Sequence, residues 1–282
     1  MLWLAAVVAT VALHKSLTRS GVDADALNVV AIVVIAGVVG AKVWHELQSP
    51  AELAMALKQI GKPGIKHPVD VLLEFLHWFQ AGFAWFGGML AGIALLMWQG
   101  ADIKPNGMTG MRASVRMLDL ATVAASVGYG VGRLGCLTSG DGDYGKNTTL
   151  PWGVHMAHGV DQYHRALVPP NPPTALVQPT PIYELLFALA LAWVLWKLAG
   201  KARPLGWLTG FYLCVSGIGR FLVEFVRINP RIYFGHTMSN AQVAALGSVV
   251  VGLIVMLAVR GGEPVGGEMA MPVKAEPVEN AA

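Results

Sequence analysis

Residues 123–154 read VAASVGYGVGRLGCLTSGDGDYGKNTTLPWGV. The stretch begins as an apolar run and changes at Gly132 into a segment of glycines, aspartates and small polar residues. Arg133 therefore lies at or inside the end of a predicted membrane helix. A charged side chain at membrane depth costs at least about 2.5 kcal/mol on insertion scales, so such a residue indicates a functional site by default.

The composition of the whole chain is that of an integral membrane protein. Of the 282 residues, 55% are hydrophobic and 13% are charged, whereas soluble domains carry about 25% charged residues. The net charge of +3 is spread over many loops, which disfavours a nucleic-acid-binding protein. The two cysteines are too few for a disulfide framework, and both lie in or near apolar runs.

Seven apolar segments predict an all-α fold with about seven transmembrane helices. They cover residues 1–13, 26–43, 71–98, 117–137, 182–199, 205–226 and 238–259. The first is short for a span of about 20 residues, and without a positive leader or a clear cleavage site it does not read as a signal peptide. Residues 1–260 are predicted to form one transmembrane domain.

The distribution of lysine and arginine predicts the orientation of the helices. With the N-terminus outside, the inside loops are the more basic, and the turn LAGKARPLG at residues 198–206 is the strongest element. The C-terminus is then cytoplasmic. We expect an outer amphipathic arm at about residues 45–70, an outer loop at about 138–181 and a disordered cytoplasmic tail at 261–282.

Polar residues from distant parts of the chain converge on the outer side of this topology. Arg133 lies near the outer end of the fourth span, and the segment QPTPIYE, residues 178–184, enters the fifth span on the same side. Arg220, Glu224 and Arg227 occupy the outer part of the sixth span, where spacings of four and three place them on one helix face.

These charges have two interpretations. They form either an internal ladder of ion pairs or a ligand site. The ladder leaves one of the two arginines in the sixth span uncompensated, and Arg133 adds a second free positive charge. Two arginines that face an outer-leaflet cavity suit the phosphate of a lipid head group, because guanidinium groups donate planar, paired hydrogen bonds.

Glycines accompany the charges at two places. Five glycines within residues 132–145 permit a tight loop and a close approach of the backbone to a ligand, although lone glycines in membrane segments commonly indicate helix packing. The third span contains Phe86, Gly87 and Gly88. The same two interpretations apply to them, a binding segment or a close helix contact.

Metal binding and covalent catalysis are the weaker interpretations of the remaining residues. The sequence HMAH at residues 155–158 offers two loop histidines without a third ligand, so we predict no metal site. Cys136 lies beside a membrane helix, where a small residue is more typical of packing than of a nucleophile. No cofactor is indicated.

Motifs in the same order along nearly the whole chain resemble those of the bacterial prolipoprotein diacylglyceryl transferases. The stretch from Gly132 to Val154 resembles divergent forms of the family signature, which read GRIGCFLAGDDYG with LPWG downstream. QPTPIYE resembles HPTQLYE, and GRFLVEFVR at 219–227 resembles RFxxEFxR. AGFAWFGGMLAG at 81–92, GVVGAKVWHELQ at 37–48 and SNAQVAALGSVVVG at 239–252 resemble the FHGGL segment, the GARLxYVL segment and the start of the last span.

The resemblance implies a seven-helix protein of the bacterial inner membrane with an active site that faces the periplasm. Family members move the diacylglyceryl group of phosphatidylglycerol to the thiol of a lipobox cysteine in a prolipoprotein. They form a thioether and release glycerol-1-phosphate. The implied partners are therefore phosphatidylglycerol, lipobox-containing prolipoproteins and membrane lipids.

The resemblance also assigns roles to residues at motif positions. The catalytic residues that it implies are Arg133, Arg220, Asp141 and Glu224. The substrate-binding residues that it implies are Arg133, Arg220, Arg227, Gly140, Gly87 and Gly88. Arg133 and Arg220 would hold the phosphate of phosphatidylglycerol and stabilise the charge on the leaving glycerol phosphate.

Several positions depart from the family pattern. Phe86 replaces a histidine, Cys136 and Ser139 replace asparagines, and Gln178 replaces the histidine of HPT. The substrate thiol must lose its proton, and the general base is unassigned, with Asp141 or an outer-loop histidine as candidates.

Two alternative functions remain open. The replaced residues favour a paralogue that binds a phospholipid without transferring it, although both arginines are retained. A small transporter would line a solute path with its charged residues and would need polar residues through the inner half of the bundle. That half is almost wholly apolar in the second, sixth and seventh spans, with Asp119 as an exception in the fourth.

Overall fold

The structure is a computed structural model, and it describes residues 1–60, 68–80, 85–139, 144–155 and 176–265. The helices are α1 (Leu2–Arg19), α2 (Ala26–Gln48), α3 (Pro50–Ile60), α4 (Pro68–Gln80), α5 (Trp85–Ile103), α6 (Gly110–Ser139), α7 (Thr180–Ala199), α8 (Trp207–Val223) and α9 (Asn240–Ala258). The strands are β1 (Val154–His155), β2 (Leu176–Val177), β3 (Arg203–Pro204), β4 (Arg231–Tyr233), β5 (Met238–Ser239) and β6 (Pro264–Val265). They pair antiparallel as β1–β2, β3–β6 and β4–β5.

The helices of the described ranges have the length and composition of membrane spans. Five are long and apolar enough to cross a membrane: α2, α5 from Phe86 onward, α6, α7 and α9. α8 is apolar but 17 residues long, which corresponds to about 26 Å of helix. The mostly helical chain is therefore an integral membrane protein, as its composition predicts.

α6 lies at the centre of the packing. It contacts α1, α5, α7 and α8, while α2 packs between α1 and α5 and α9 packs along α8. One core cluster joins α1 to α6 around Leu13, Leu17 and Met117, and a second joins α6, α7 and α8 around Leu191 and Leu195. The three helices that carry the charged motifs therefore share one core.

Gly87 and Gly88 lie at the contact between α2 and α5. A Cβ atom added to Gly87 would collide with the carbonyl oxygen of Gly40 and with Trp44. A Cβ atom added to Gly88 would lie 2.9 Å from the carbonyl oxygen of Gly37. The two backbones touch here because small residues allow membrane helices to approach closely, so the geometry supports the packing interpretation of this pair.

The predicted apolar segment 71–98 contains most of α4 and of α5, and residues 81–84 between them lie outside the described ranges. Two other predicted boundaries are wrong. The predicted arm at about residues 45–70 begins inside α2, which runs to Gln48, and it contains α3 and only the first residues of α4. The predicted disordered tail begins with ordered residues, because β6 pairs with β3 in the turn between α7 and α8; residues 266–282 lie outside the described ranges.

Asp119, a polar residue in the first half of α6, caps the start of α8. Its carboxylate accepts hydrogen bonds from the backbone N–H of Gly206 at 2.7 Å and of Thr209 at 2.9 Å, and from the Thr209 hydroxyl at 2.6 Å. The first N–H groups of a helix have no partner within the helix, and a negative charge there also meets the positive end of the helix dipole. This role in tying α6 to α8 requires no solute path.

Replacing Asp119 by alanine is expected to lower the free energy of unfolding in detergent by about 3 kcal/mol or more, because each buried donor left unsatisfied costs about 1–3 kcal/mol. The midpoint of thermal unfolding measures the loss. Thr209→Val is the matched control, since it removes one hydrogen bond and is expected to cost about 1 kcal/mol. Equal midpoints for the wild type and Asp119→Ala would contradict the capping role.

Candidate active site

The candidate site lies where α6 and α8 end and α7 and α9 begin. Arg133 belongs to the last two turns of α6, and Glu184 lies near the start of α7. Arg220 lies in the last turn of α8, Glu224 is the C-cap of that helix, and Ser239 is the N-cap of α9. Consecutive spans run in opposite directions, so these four helix termini meet at one end of the bundle.

Glu184 is the centre of a cluster of charged side chains. Its Oε2 accepts a hydrogen bond of 2.6 Å from Nε of Arg133, and Nη2 of the same guanidinium forms an ion pair with that oxygen. Its Oε1 accepts a hydrogen bond of 2.8 Å from the hydroxyl of Tyr129. Nε of Arg220 lies 3.8 Å from Oε1, and Nη1 of Arg227 lies 3.6 Å from Oε2. One carboxylate thus holds three guanidinium groups together.

Glu224 is the second carboxylate of the cluster. Its Oε2 lies 2.5 Å from Nη1 of Arg220 and 3.7 Å from Nε of Arg227. Its Oε1 accepts hydrogen bonds of 2.7 Å from the side-chain amide of Asn229 and from the hydroxyl of Ser239. Because Ser239 also begins α9 through a capping box, the start of the last helix positions this carboxylate.

Charge and exposure decide what the cluster can bind. Its three arginines and two glutamates leave one excess positive charge. The side chain of Arg220 is 27% exposed and that of Arg133 is 14% exposed, whereas that of Arg227 is only 4% exposed. Both glutamate side chains are buried. The cluster therefore suits one monoanionic group that approaches from the side of Arg220 and Arg133.

Two predictions about these charges are wrong. Arg133 does not add an uncompensated charge, because Glu184 neutralises it. Arg227 does not lie on a face of the sixth span, because α8 ends at Val223 and Arg227 forms a β-bridge with Gly145. Backbone hydrogen bonds that reach back only three residues close this end of the helix.

The end of the glycine-rich segment is held against both neighbouring motifs by backbone hydrogen bonds. The N–H of Gly145 donates to the carbonyl of Gln178 at 2.8 Å, and the N–H of Lys146 donates to the carbonyl of Val226 at 2.8 Å. The N–H of Gln178 donates in return to the carbonyl of Lys146 at 3.0 Å. This ladder joins the segment after α6 to the residues before α7 and after α8.

Gly145 is expected to tolerate no side chain. A Cβ atom there would lie 2.7 Å from the carbonyl oxygen of Val226 and 2.9 Å from Cβ of Gln178. We expect Gly145→Val to cost about 3 kcal/mol of stability through overpacking, read as a lower midpoint of thermal unfolding. Gly247→Ala is the control, because this glycine is exposed on α9 and an added Cβ would meet no described atom within 4 Å. If Gly145→Val unfolds at the same midpoint as the wild type, the backbone ladder accommodates the added side chain and the prediction is wrong.

The other predicted site residues lie in three places. Gly140 and Asp141 are outside the described residues. Gly87 and Gly88 lie at the contact between α2 and α5 rather than among the arginines. Cys136 lies beside the cluster, with its Sγ 3.4 Å from Nη1 of Arg133.

Four residues received no role from the sequence: Glu184 of the cluster, and the three hydrogen-bond partners of its glutamates, Tyr129, Asn229 and Ser239. Glu184 carried a usable signal, because a carboxylate near the start of an apolar span has the same insertion cost that singles out Arg133. Tyr129 carried none, since its hydroxyl meets a partner 55 positions away only when α6 packs on α7.

Comparisons with known proteins agree with the motifs. The family model described as "Prolipoprotein diacylglyceryl transferase" matches residues 1–258. A relative from Clostridium tetani named "Phosphatidylglycerol--prolipoprotein diacylglyceryl transferase" is 28% identical over 258 residues, which cover 90% of this chain and 89% of the relative.

Two further relatives bear the same name. The one from Cupriavidus metallidurans is 29% identical over 204 residues, which cover 70% of this chain and 66% of the relative. The one from Aliivibrio fischeri is 32% identical over 193 residues, which cover 67% of this chain and 60% of the relative. The family predicted from the motifs is confirmed by the match over residues 1–258, and this chain therefore belongs to the prolipoprotein diacylglyceryl transferase family.

Proposed function

We propose that this protein transfers the diacylglyceryl group of phosphatidylglycerol to the thiol of the lipobox cysteine of prolipoproteins. In this reaction a bond forms between the cysteine sulfur and the glyceryl carbon, and the bond between that carbon and the phosphate oxygen breaks. Glycerol-1-phosphate leaves, and the thiol proton passes to a base. The observation that carries the proposal is the cluster of three arginines and two glutamates in a chain of this family.

A phosphodiester matches the cluster in charge and in donor geometry. Its phosphate bears one negative charge, and the cluster has one excess positive charge. Arg220 and Arg133 have the most exposed guanidinium groups of the cluster, and such groups donate paired hydrogen bonds to phosphate oxygens. In our proposal they bind the phosphate and stabilise the second negative charge that develops on it as the leaving group departs.

The buried charges of the cluster support these two arginines. Arg227 is too buried to be the first contact of a ligand, and Glu224 bonds both Arg220 and the start of α9. We therefore propose that Glu224, Arg227 and Glu184 act as positioning residues. This proposal revises the direct roles that the family pattern implies for Glu224 and Arg227.

The remaining site residues keep the roles that the family pattern implies. Gly140 is proposed to let the backbone approach the substrate, and Asp141 is a candidate acceptor for the thiol proton. The binding role of Gly87 and Gly88 remains a prediction, and their packing supports a second role, which is to let α5 lie directly against α2.

We further propose that seven helices cross the bacterial inner membrane, with α1 and α8 added to the five spans described above. The N-terminus and the active site would face the periplasm, and the C-terminus the cytoplasm, with residues 1–260 as one domain. The length of α6 supports this placement. Arg116 and Arg133 are 17 positions apart on that helix, about 25 Å, which is close to the thickness of the hydrocarbon core of about 30 Å.

The packing argues against the transporter alternative. An apolar cluster closes the bundle between the two polar ends of α6, with Val123, Leu191 and Leu195 among its buried members. Asp119, the inner polar residue that a solute path would use, has its carboxylate occupied by the start of α8. The presence of Phe86 in place of the family histidine still favours the other alternative, a paralogue that binds a phospholipid without transferring it.

A transfer assay in membranes tests the proposal. Membranes that contain the expressed protein are incubated with a lipobox peptide and with phosphatidylglycerol labelled in its acyl chains. The label on the peptide cysteine is then measured. We expect label with the wild type and none above background with Arg133→Ala. Arg231→Ala is the matched control, because this arginine is exposed on β4 and outside the cluster; it is expected to retain activity.

The two alternatives give different results in the same assay. A folded wild type that binds phosphatidylglycerol but transfers no label would be the lipid-binding paralogue. Label that is unchanged in Arg133→Ala would show that the cluster is not the transfer site.

A further inference from the structure

Tyr129 lies at the edge of the arginine cluster and is not one of its charged members. It belongs to α6, one turn before Arg133, and 39% of the residue is exposed. Its hydroxyl donates a hydrogen bond of 2.8 Å to Oε1 of Glu184. Its ring flanks Arg133, whose guanidinium carbon lies 5.8 Å from the ring centroid. Tyr129 therefore contacts both the central carboxylate of the cluster and one of the arginines that this carboxylate holds.

The two oxygens of the Glu184 carboxylate have different partners. Oε2 bonds Arg133 and lies 3.6 Å from Nη1 of Arg227. Oε1 accepts one hydrogen bond from within the described part of the chain, and its donor is Tyr129. The side chain of Glu184 is only 4% exposed, and buried polar atoms normally have a hydrogen-bond partner. The tyrosine hydroxyl therefore supplies the donor that Oε1 requires.

Arg220 lies beside the same oxygen without bonding it. Its Nε is 3.8 Å from Oε1 of Glu184, which is beyond hydrogen-bond distance. Its Nη1 donates to Oε2 of Glu224 at 2.5 Å. Neither Nε nor Nη2 of Arg220 donates a hydrogen bond to a residue that the structure describes. A movement of about 1 Å would bring Nε into hydrogen-bond distance of Oε1.

We propose that Tyr129 is a positioning residue for phosphatidylglycerol: its hydroxyl satisfies Oε1 of Glu184 and so leaves Nε of Arg220 free to bind the phosphate. This role rests on the proposed function, in which Arg220 contacts that phosphate. Without the hydroxyl, Oε1 becomes a buried charged acceptor that lacks a donor, which is costly. Arg220 is then drawn towards Glu184 and bonds both glutamates, so that fewer of its donors remain for a ligand.

The affinity for phosphatidylglycerol tests this role without requiring transfer. Delipidated full-length protein in detergent is titrated with dioleoyl phosphatidylglycerol, and the Kd is measured by native mass spectrometry. We expect Tyr129→Phe to raise the Kd by about fivefold to tenfold, the effect of losing one hydrogen bond. The substitution removes only the hydroxyl, because phenylalanine keeps the ring beside Arg133.

Tyr212→Phe is the matched control. Tyr212 packs against the core between α6, α7 and α8, and its hydroxyl bonds no residue in the described ranges. It lies eight positions before Arg220 on α8, which is about 12 Å along the helix. We expect this variant to bind phosphatidylglycerol with the Kd of the wild type.

A double-mutant cycle with Arg220 distinguishes positioning from general damage to the fold. In Arg220→Gln the guanidinium that Tyr129 is proposed to free is absent, so adding Tyr129→Phe should change the Kd by less than twofold. Binding remains measurable in this background because Arg133 is retained. A merely structural role would weaken binding by the same factor in both backgrounds.

The transfer assay on the same variants separates this role from the proposed function. We expect kcat/KM of Tyr129→Phe for phosphatidylglycerol to fall by at least the factor seen in the Kd. If the wild type binds phosphatidylglycerol but transfers no label, the cycle in Kd still tests Tyr129, and only the proposed function fails.

Two results would contradict the role of Tyr129. One is a Kd for Tyr129→Phe equal to that of Tyr212→Phe, which would mean that the hydroxyl does not affect the phosphate site. The other is an equal rise in Kd with and without Arg220, which would mean that the hydroxyl acts through the fold rather than through this arginine.

Discussion

Replacing Arg220 by glutamine is expected to lower the transfer rate by about 10²–10³-fold, the usual effect of removing one donor to a developing oxyanion. Arg220 is the most exposed guanidinium of the cluster, with 27% of its side chain accessible. Its replacement leaves two arginines against the two glutamates, so no buried charge is left in excess and the midpoint of thermal unfolding should stay close to that of the wild type. The measurement is the initial rate of label transfer from phosphatidylglycerol to a lipobox peptide.

Arg220→Lys is the matched variant for this position. It keeps the charge but loses the planar pair of donors, so we expect a rate between those of the wild type and Arg220→Gln. A rate for Arg220→Gln within twofold of the wild type would mean that the phosphate is held elsewhere.

Replacing Glu184 by glutamine is expected to damage both stability and activity. The substitution leaves three arginines with one carboxylate, and breaking a buried ion pair by removing one partner costs about 3–5 kcal/mol. The excess charge also displaces Arg133 from its bonded position, so we expect transfer to fall by at least about 100-fold. The midpoint of thermal unfolding and the initial transfer rate are measured on the same preparations.

A double variant separates the two effects. If Glu184 stabilises the fold by neutralising Arg133, adding Arg133→Gln to Glu184→Gln should restore much of the lost stability, because the uncompensated charge is removed. Activity should not return, because a phosphate-binding arginine is then missing. Tyr129→Phe is the mild control, since it removes one neutral hydrogen bond to Glu184 and should cost about 1 kcal/mol. A double variant less stable than Glu184→Gln would contradict the charge explanation.

The convergence of Arg133, Arg220 and Glu224 could be predicted from the sequence because the direction of each span is set by its order in the chain. A charge near the end of an even-numbered span and a charge near the start of the next span must lie at the same membrane face. The helix end at Val223 could not be predicted, because the residues from Glu224 to Arg227 continue the helical spacing of charges. Their backbone instead pairs with the segment that follows α6.

The sequence by itself determined the class of protein, the order of its spans and the family, because these depend on composition and on residues close together in the chain. Only the tertiary structure decided which partner each charge has. Glu184, rather than a neighbour on the same helix, neutralises Arg133, and Asp119 caps a helix that begins 88 positions later. Such pairs depend on the rotation and depth of one packed helix against another, and in a low-dielectric bundle a carboxylate is stable only where those contacts supply its donors.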